Sequence, residues 1–354
     1  MSPLFPGVLS ELGFRPGRGP VHVTMRLQTT IIEEVTSQRC RAILAGAATK
    51  RFAVVGDLML DEFVWGRVSR ISPEAPVPVV HVTREEPFPG GAANVARNLR
   101  EFSANVAVAG TVGCDSAGER LLSVLGVMGI DVAGVQRNPA WSTIVKTRII
   151  ARQQQVVRVD REQPRTSVVQ RIEGLEALVA GSDAVLVADY GKGAVTQETA
   201  DRLCTLARDH NVILAVDPNP GNPVDWKHVT VIKPNRAEAL KAAGLEDDGR
   251  AVDPIGRQLL ERWNAELLLL TLGEEGMMLF ERDKPAAYHT PTRAREVFDV
   301  SGAGDTAMAA LTAALAGGAS PVEAAEIANA ASGIVVGKLG TAAVTLDELA
   351  ASFS

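Results

Sequence analysis

Aromatic side chains are scarce: Phe, Trp and Tyr together make up 4% of the 354 residues. So few rings disfavour a surface that stacks bases. Basic tracts are missing too. With 36 Lys and Arg against 42 Asp and Glu, the formal charge is −6, which argues against a nucleic-acid binder or a basic membrane-surface protein. No run approaches the roughly 18 uninterrupted apolar residues of a spanning helix. The first 24 residues hold eight Pro or Gly and no basic end followed by an apolar run, so they do not read as a secretory signal. Cysteine is limited to Cys40, Cys114 and Cys204, 74 and 90 residues apart. That spacing gives neither a zinc knuckle nor a disulfide framework. A soluble, cytoplasmic protein is the expectation.

What is present suits a folded core: 46% hydrophobic and 22% charged residues are near the globular average. Residues 1–48 read as an N-terminal extension ending in an amphipathic helix over Met25–Ala48, and 49–354 as the main domain. From Arg51 onward, apolar runs alternate with helical patterns. Phe52–Val55, Val106–Ala109, Ala184–Ala188, Val212–Val216, Val229–Ile232 and Leu267–Leu272 are expected strands, apolar throughout because both faces are covered. Ala92–Phe102, Ala117–Met128, Val168–Val179, Thr196–Asp209, Arg236–Ala243 and Pro254–Trp263 are the expected helices. The alternation predicts an α/β domain with a mostly parallel sheet. Residues 64–83, with Pro73, Pro76 and Pro78, and residues 144–160 break it. Prolines favour sheet edges, so these segments read as a small projecting β-lid, able to pair with a second copy in a homodimer.

Asp299-Val-Ser-Gly-Ala-Gly-Asp305, followed by a helical run, carries the most chemistry. A Gly-Ala-Gly turn opening a helix aims backbone N–H groups at one point, at the positive end of the helix dipole. Gly302, Ala303 and Gly304 thus form a candidate anion hole, and Asp305 a candidate general base. Taken alone, the aspartate reads more readily as a carboxylate stabilising a helix start. Two other phosphate sites are excluded: Gly333-Ile-Val-Val-Gly337-Lys338-Leu339 lacks the spacing and the hydroxyl of a Walker loop, and Gly56-Asp57-Leu58-Met59 replaces a dinucleotide glycine fingerprint.

Pro89-Gly-Gly-Ala-Ala-Asn94 and Asp299–Asp305, in this order and about 200 residues apart, resemble the two signatures of the ribokinase-like (PfkB) family of sugar and nucleoside kinases. The likeness extends over roughly Arg51–Leu349. Within the family it is strongest to bacterial kinases of D-glycero-D-manno-heptose 7-phosphate, through Gly56–Asp61, Ser69–Pro78, Asp189–Gly193 and Val335–Thr341. The resemblance implies a three-layer α/β/α fold with a β-lid. It also implies ATP-dependent phosphorylation of the anomeric hydroxyl of the heptose phosphate, in ADP-heptose and lipopolysaccharide-core synthesis. Ribose, fructose 6-phosphate or 2-keto-3-deoxygluconate are the alternative substrates, and a non-catalytic sensor the alternative class. Many such kinases continue into a nucleotidyltransferase with an HxGH motif. The five histidines here, His22, His81, His210, His228 and His289, do not cluster, so the resemblance implies a kinase-only form.

The resemblance also implies roles at named positions. Asp305 becomes the base and Gly302–Gly304 the anion hole. Asp57, Asp61, Gly90, Gly91 and Asn94 become sugar ligands, although Asp57 reads equally well as a turn or cap residue. Lys192 and Arg152 are the expected phosphate ligands, chosen over Arg148 and Arg158. Asn235, Thr271, Gly273, Gly276 and Asn329 fall on the ATP side. Glu238, three residues after Asn235, would organise Mg²⁺ through water, while also fitting a capping box. Asp217 and Lys233 stand at strand ends without an assigned role.

Overall fold

A computed structural model describes residues 35–152, 154–163, 172–247, 252–294, 297–298, 300–338 and 342–354. The unit described runs from Val35 to Ser354. In chain order its elements are α1 (Ser37–Ala48), β1 (Arg51–Gly56), β2 (Leu58–Ile71), β3 (Pro78–Gly91), α2 (Ala92–Arg100), β4 (Asn105–Gly113), α3 (Ser116–Val127) and β5 (Asp131–Asn138). Then come β6 (Ile144–Ala151), β7 (Gln154–Arg161), α4 (Leu175–Ala180), β8 (Ala184–Ala188), α5 (Gln197–His210), β9 (Ile213–Asp217), β10 (Val231–Ile232), α6 (Arg236–Ala242) and α7 (Asp253–Arg262). The chain finishes with β11 (Leu267–Thr271), β12 (Met277–Glu281), β13 (Tyr288–Thr290), α8 (Ala303–Ala316), α9 (Pro321–Val335) and α10 (Leu346–Ala351).

Nine strands form the main sheet in the order β5-β4-β1-β8-β9-β10-β11-β12-β13. All neighbours from β5 to β11 are parallel, and β12 and β13 close the far edge antiparallel. Successive side chains of β1 point to opposite faces. Phe52 and Val54 join one core with α1, α2, α3, α8, α9 and α10, while Ala53 and Val55 join a second with α4, α5, α6 and α7. This is the expected three-layer α/β/α arrangement. From β1 the chain first builds outward through β4 and β5, then returns to β8 on the other side. That reversal opens a crevice beyond the carboxyl ends of β1 and β8, where ligands of such sheets bind. At Gly56, which ends β1, a Cβ would lie 2.1 Å from the Ala188 carbonyl oxygen.

The lid is a separate four-stranded sheet, β3-β2-β6-β7. Its first two strands are longer than the proline-marked segment suggests, because β2 starts two residues after β1 and β3 runs straight into α2 at Gly91. The lid is therefore continuous with the crevice floor. Three strands lie outside the sequence expectation: β5, whose alternating exposure marks an edge, and the short β12–β13 hairpin. The expected helix over Met25–Ala48 is described only as α1, its first ten residues lying outside the described residues. The expected helix Val168–Val179 likewise falls partly outside them, and α4 is what is described.

Candidate functional site

Helix α8 begins in the crevice. Gly302 caps it in the left-handed region, φ +80°, and a Cβ there would stand 3.2 Å from the Asn94 amide nitrogen. The first intrahelical bond runs from Thr306 N–H to the Gly302 carbonyl, and Ala303 N–H turns back onto the Val300 carbonyl at 3.3 Å. The N–H groups of Gly304 and Asp305 precede the helical ladder and are the better-placed anion donors. Asp299 lies outside the described residues.

Asp305 is half-buried and held at both oxygens. Asn94 Nδ2 donates to Oδ2 at 2.7 Å, and the Tyr190 hydroxyl donates to Oδ1 at 2.5 Å. Burial raises its pKa to about 6 against the lowering effect of those two bonds. Such a carboxylate is ionised at neutral pH yet basic enough to accept a proton from an alcohol. Two groups left without roles by the sequence stand beside it. Lys233, 3% exposed, is paired with Asp217 at 3.1 Å, and its Nζ lies 3.6 Å from where a Cβ on Gly304 would be. Burial pulls Lys233 down, but Asp217 and Glu238 outweigh it, so the ammonium keeps its proton beside Gly304.

Asp57 serves the backbone. Its Oδ2 accepts from Tyr190 N–H at 2.9 Å and Lys192 N–H at 3.0 Å, and its Oδ1 from Ala194 N–H at 2.9 Å. Of the two readings open for it, the geometry favours the turn residue: it clamps the loop after β8. Lys192, in that loop, pairs with Glu162 at the end of β7 at 2.7 Å.

One wall of the crevice is built around Asp61, which is 6% exposed and raised in pKa by burial despite Arg148. A Cβ on Gly90 would fall 2.8 Å from Asp61 Cγ, and Gly91 has φ +57° with the Asp57 carbonyl oxygen 2.5 Å from its missing Cβ, so both glycines are sterically required. Arg148 Nη1 pairs with Asp61 Oδ1 at 2.8 Å, and its guanidinium covers the Phe63 ring. Arg152, the arginine expected here, stands instead at the β6–β7 turn, six residues along from the Lys146 that faces Asp61. It is exposed, has φ +50° and donates to the Val68 carbonyl. At about 3.3 Å per residue that is roughly 20 Å of strand. Arg148 was visible in the sequence, but only the register shows that it shares a face with Asp61.

On the other side of the α8 mouth a cavity of about 670 Å³ is lined by Thr271, Gly273, Gly276, Ala303, Gly304 and Asn329, among others. A second, of about 590 Å³, shares Thr271, Gly273 and Gly304 and adds Asp217, Lys233, Asn235, Glu238 and Asp305. Asn329 also anchors the wall, donating to Thr290 Oγ1 and the Pro291 carbonyl. At Gly276, φ +93°, a Cβ would lie 2.1 Å from the Thr290 carbonyl oxygen, so the turn packs tightly there. Asn235 and Glu238 form a reciprocal capping box. The box is closed by Asn235 N–H donating to Glu238 Oε2 at 2.8 Å. Burial raises the Glu238 pKa. Among the described residues no three His, Cys, Asp or Glu form a metal cage. One carboxylate beside a phosphate-sized opening fits Mg²⁺, which keeps several waters and binds largely through phosphate oxygens.

The site thus sets a carboxylate at a helix mouth, with the Asp61 wall on one side and two cavities on the other. Residues 49–348 match the model described as pfkB family carbohydrate kinase. The chain belongs to that family. It is 42% identical over 308 residues to the bifunctional protein HldE of Magnetococcus marinus, covering 85% of this chain and 63% of that protein. It is 40% identical to HldE of Helicobacter pylori, covering 85% of this chain and 66% of that protein. The chain thus spans under two-thirds of the length of these relatives. Among solved structures, a ribokinase-like protein from Agrobacterium tumefaciens superposes with TM-score 0.71 at 23% identity, covering 86% of this chain and 97% of that one. Phosphofructokinase-2 of Escherichia coli gives 0.69 at 18%, covering 86% and 98%. At these identities the two structures establish a common ribokinase-like fold.

Proposed function

We propose that the chain transfers the γ-phosphoryl group of ATP to the anomeric hydroxyl of D-glycero-D-manno-heptose 7-phosphate, giving the 1,7-bisphosphate and ADP. The single observation that carries a kinase reading is Asp305: a half-buried, ionisable carboxylate one residue from the Gly304 amide, between the Asp61 wall and the cavity that holds Lys233. The choice of heptose rests on the Ser69–Pro78 segment and on 40–43% identity to proteins named HldE.

In this reading the sugar lies against Asp61, Gly90, Gly91 and Asn94. Asp305 takes the hydroxyl proton as the new O–P bond forms, and the bond from the γ-phosphorus to the ADP oxygen breaks. The Gly304 and Asp305 amides and the Lys233 ammonium neutralise charge on the transferred group, so the catalysis is mainly positioning and electrostatics. Mg²⁺ near Glu238 supplies further neutralisation when bound with ATP. Lys192 and Arg148, each already facing a carboxylate, are the cations placed to meet the 7-phosphate. The enzyme acts in the cytoplasm, as a homodimer.

ADP release in a coupled assay, with and without Mg²⁺, tests the reaction. Heptose 7-phosphate should give the highest kcat/KM in a panel with ribose, fructose 6-phosphate and 2-keto-3-deoxygluconate. A higher value for another sugar would reassign the substrate. Sugar binding without ADP formation would make the protein a sensor.

A further inference from the structure

Tyr190 packs against Met59, Trp141 and Ile144, and its backbone N–H is fixed on Asp57. A phenylalanine would fill the same space, so the hydroxyl is surplus to packing. It donates to Asp305 Oδ1 at 2.5 Å while Asn94 donates to Oδ2. Burial, with the Asp305 and Asp217 charges next, raises the phenol well above its ordinary value, so the phenol is the donor and the carboxylate the acceptor. Each carboxylate oxygen accepts at two positions. Two are filled by Tyr190 and Asn94, and one remains on each oxygen.

We propose that Tyr190 is a positioning residue for phosphoryl transfer: its hydroxyl fixes the rotation of the Asp305 carboxylate so that an open acceptor position meets the sugar hydroxyl. The inference rests on the kinase reading above. It extends to Asp57, which acts through the loop it clamps. The groups facing Asp305 are Tyr190 from the loop after β8, Asn94 from α2, Asp217 at the end of β9 and Lys233 just after β10. Asp61, paired with Arg148, faces Tyr190 from the lid.

The test is Tyr190→Phe. Loss of the donor destabilises the ionised carboxylate, so the acid limb of kcat/KM should move up by about one pH unit. On the alkaline plateau kcat should fall about tenfold, with KM for ATP within about twofold. In an Asp305→Asn background the same change should leave the residual turnover within about twofold. An unmoved acid limb, or equal fractional losses in both backgrounds, overturns the proposal. A ¹³C-carboxyl titration of Asp305 in the ligand-free protein reads the same shift without any substrate. It therefore decides the role of Tyr190 even if no sugar is turned over and the kinase reading fails. Should Tyr190→Phe not fold, fluorotyrosine at 190 keeps the bond with a more acidic donor and should move the midpoint down; no movement overturns the proposal.

Discussion

Asp305 takes up its proton at about pH 6 in the folded chain, because burial outweighs the hydrogen bonds it receives. An unfolded aspartate titrates at about 3.9. The folded state therefore binds the proton more tightly, and the stability linked to this group is fully present below about pH 4 and lost as pH rises through about 6. The ionised base opposes folding at neutral pH by roughly 2–3 kcal/mol. Asp305→Asn removes the charge while the new side-chain carbonyl still accepts from Asn94 and the new amide faces the Tyr190 oxygen. Turnover should drop by about 10²–10⁴. In urea, the Asp305→Asn variant should nonetheless be more stable than the parent at pH 7.5 and not at pH 4. Equal midpoints at pH 7.5 would show that burial is not what sets this carboxylate. Turnover of the parent should rise through about pH 6 and level off above it, since the base works ionised.

Elements decide which side chains meet at this base, and here sequence and structure part company. Arg148 on strand β6 and Arg152 just past its end are both phosphate forks by composition, Arg152 being the one expected. Pairing Phe63 with Arg148 places Arg148 on the face of Asp61, while Arg152 lies beyond the strand end. Arg148→Ala should raise KM for the sugar phosphate by about 10–100-fold, roughly the 1.5–3 kcal/mol of a hydrogen bond to a charged group. Arg152→Ala should leave KM within about twofold. Initial-rate kinetics separates them, and the reverse order would move the phosphate site to the lid tip. The loop after β8 offers a second case. Asp57 and Lys192 read as two substrate ligands, yet Asp57 accepts three loop amides, Lys192 N–H among them. Asp57→Ala strands those amides at about 1–3 kcal/mol apiece for the ones kept from water. Hydrogen exchange at Tyr190–Ala194 should accelerate at least about tenfold while β1 stays protected. Unchanged exchange there would remove the clamp. The apolar parallel strands and the Gly-Ala-Gly helix start were legible, because burial on both faces and a left-handed glycine leave local marks. Arg148, Tyr190 and Lys233 were not, because their roles come from strand register and from a packing partner over 100 residues away, as with Tyr190 and Asp305.

Across the whole chain, the two faces of the lid differ. Phe63 with Arg148 and Asp61 with Lys146 lie on the face toward the base. Ile149 pairs with Val157 and Thr147 with Val159, which puts these four on the opposite face. Val157 and Val159 are 45% and 39% exposed, and Val82 on β3 is 49% exposed. A strip of exposed valine on a sheet whose two edge strands pair with no further strand among the described residues is a surface that folded chains seldom leave uncovered. Pro78, Pro87 and Pro89 lie on edge strand β3, where they remove backbone donors and discourage open-ended strand addition. Pairing of the valine faces about a twofold axis would close an assembly at two copies. Light scattering should therefore give about twice the 37.4 kDa chain mass. Val157→Asp with Val159→Asp should return it to one chain mass, each buried unpaired charge being too costly for the interface to keep. Because Glu162 follows β7 and holds Lys192 of the clamped loop, the dissociated variant should also show a raised KM for the sugar with the thermal midpoint of the core kept. A dimer that survives both aspartates would move the interface to another face.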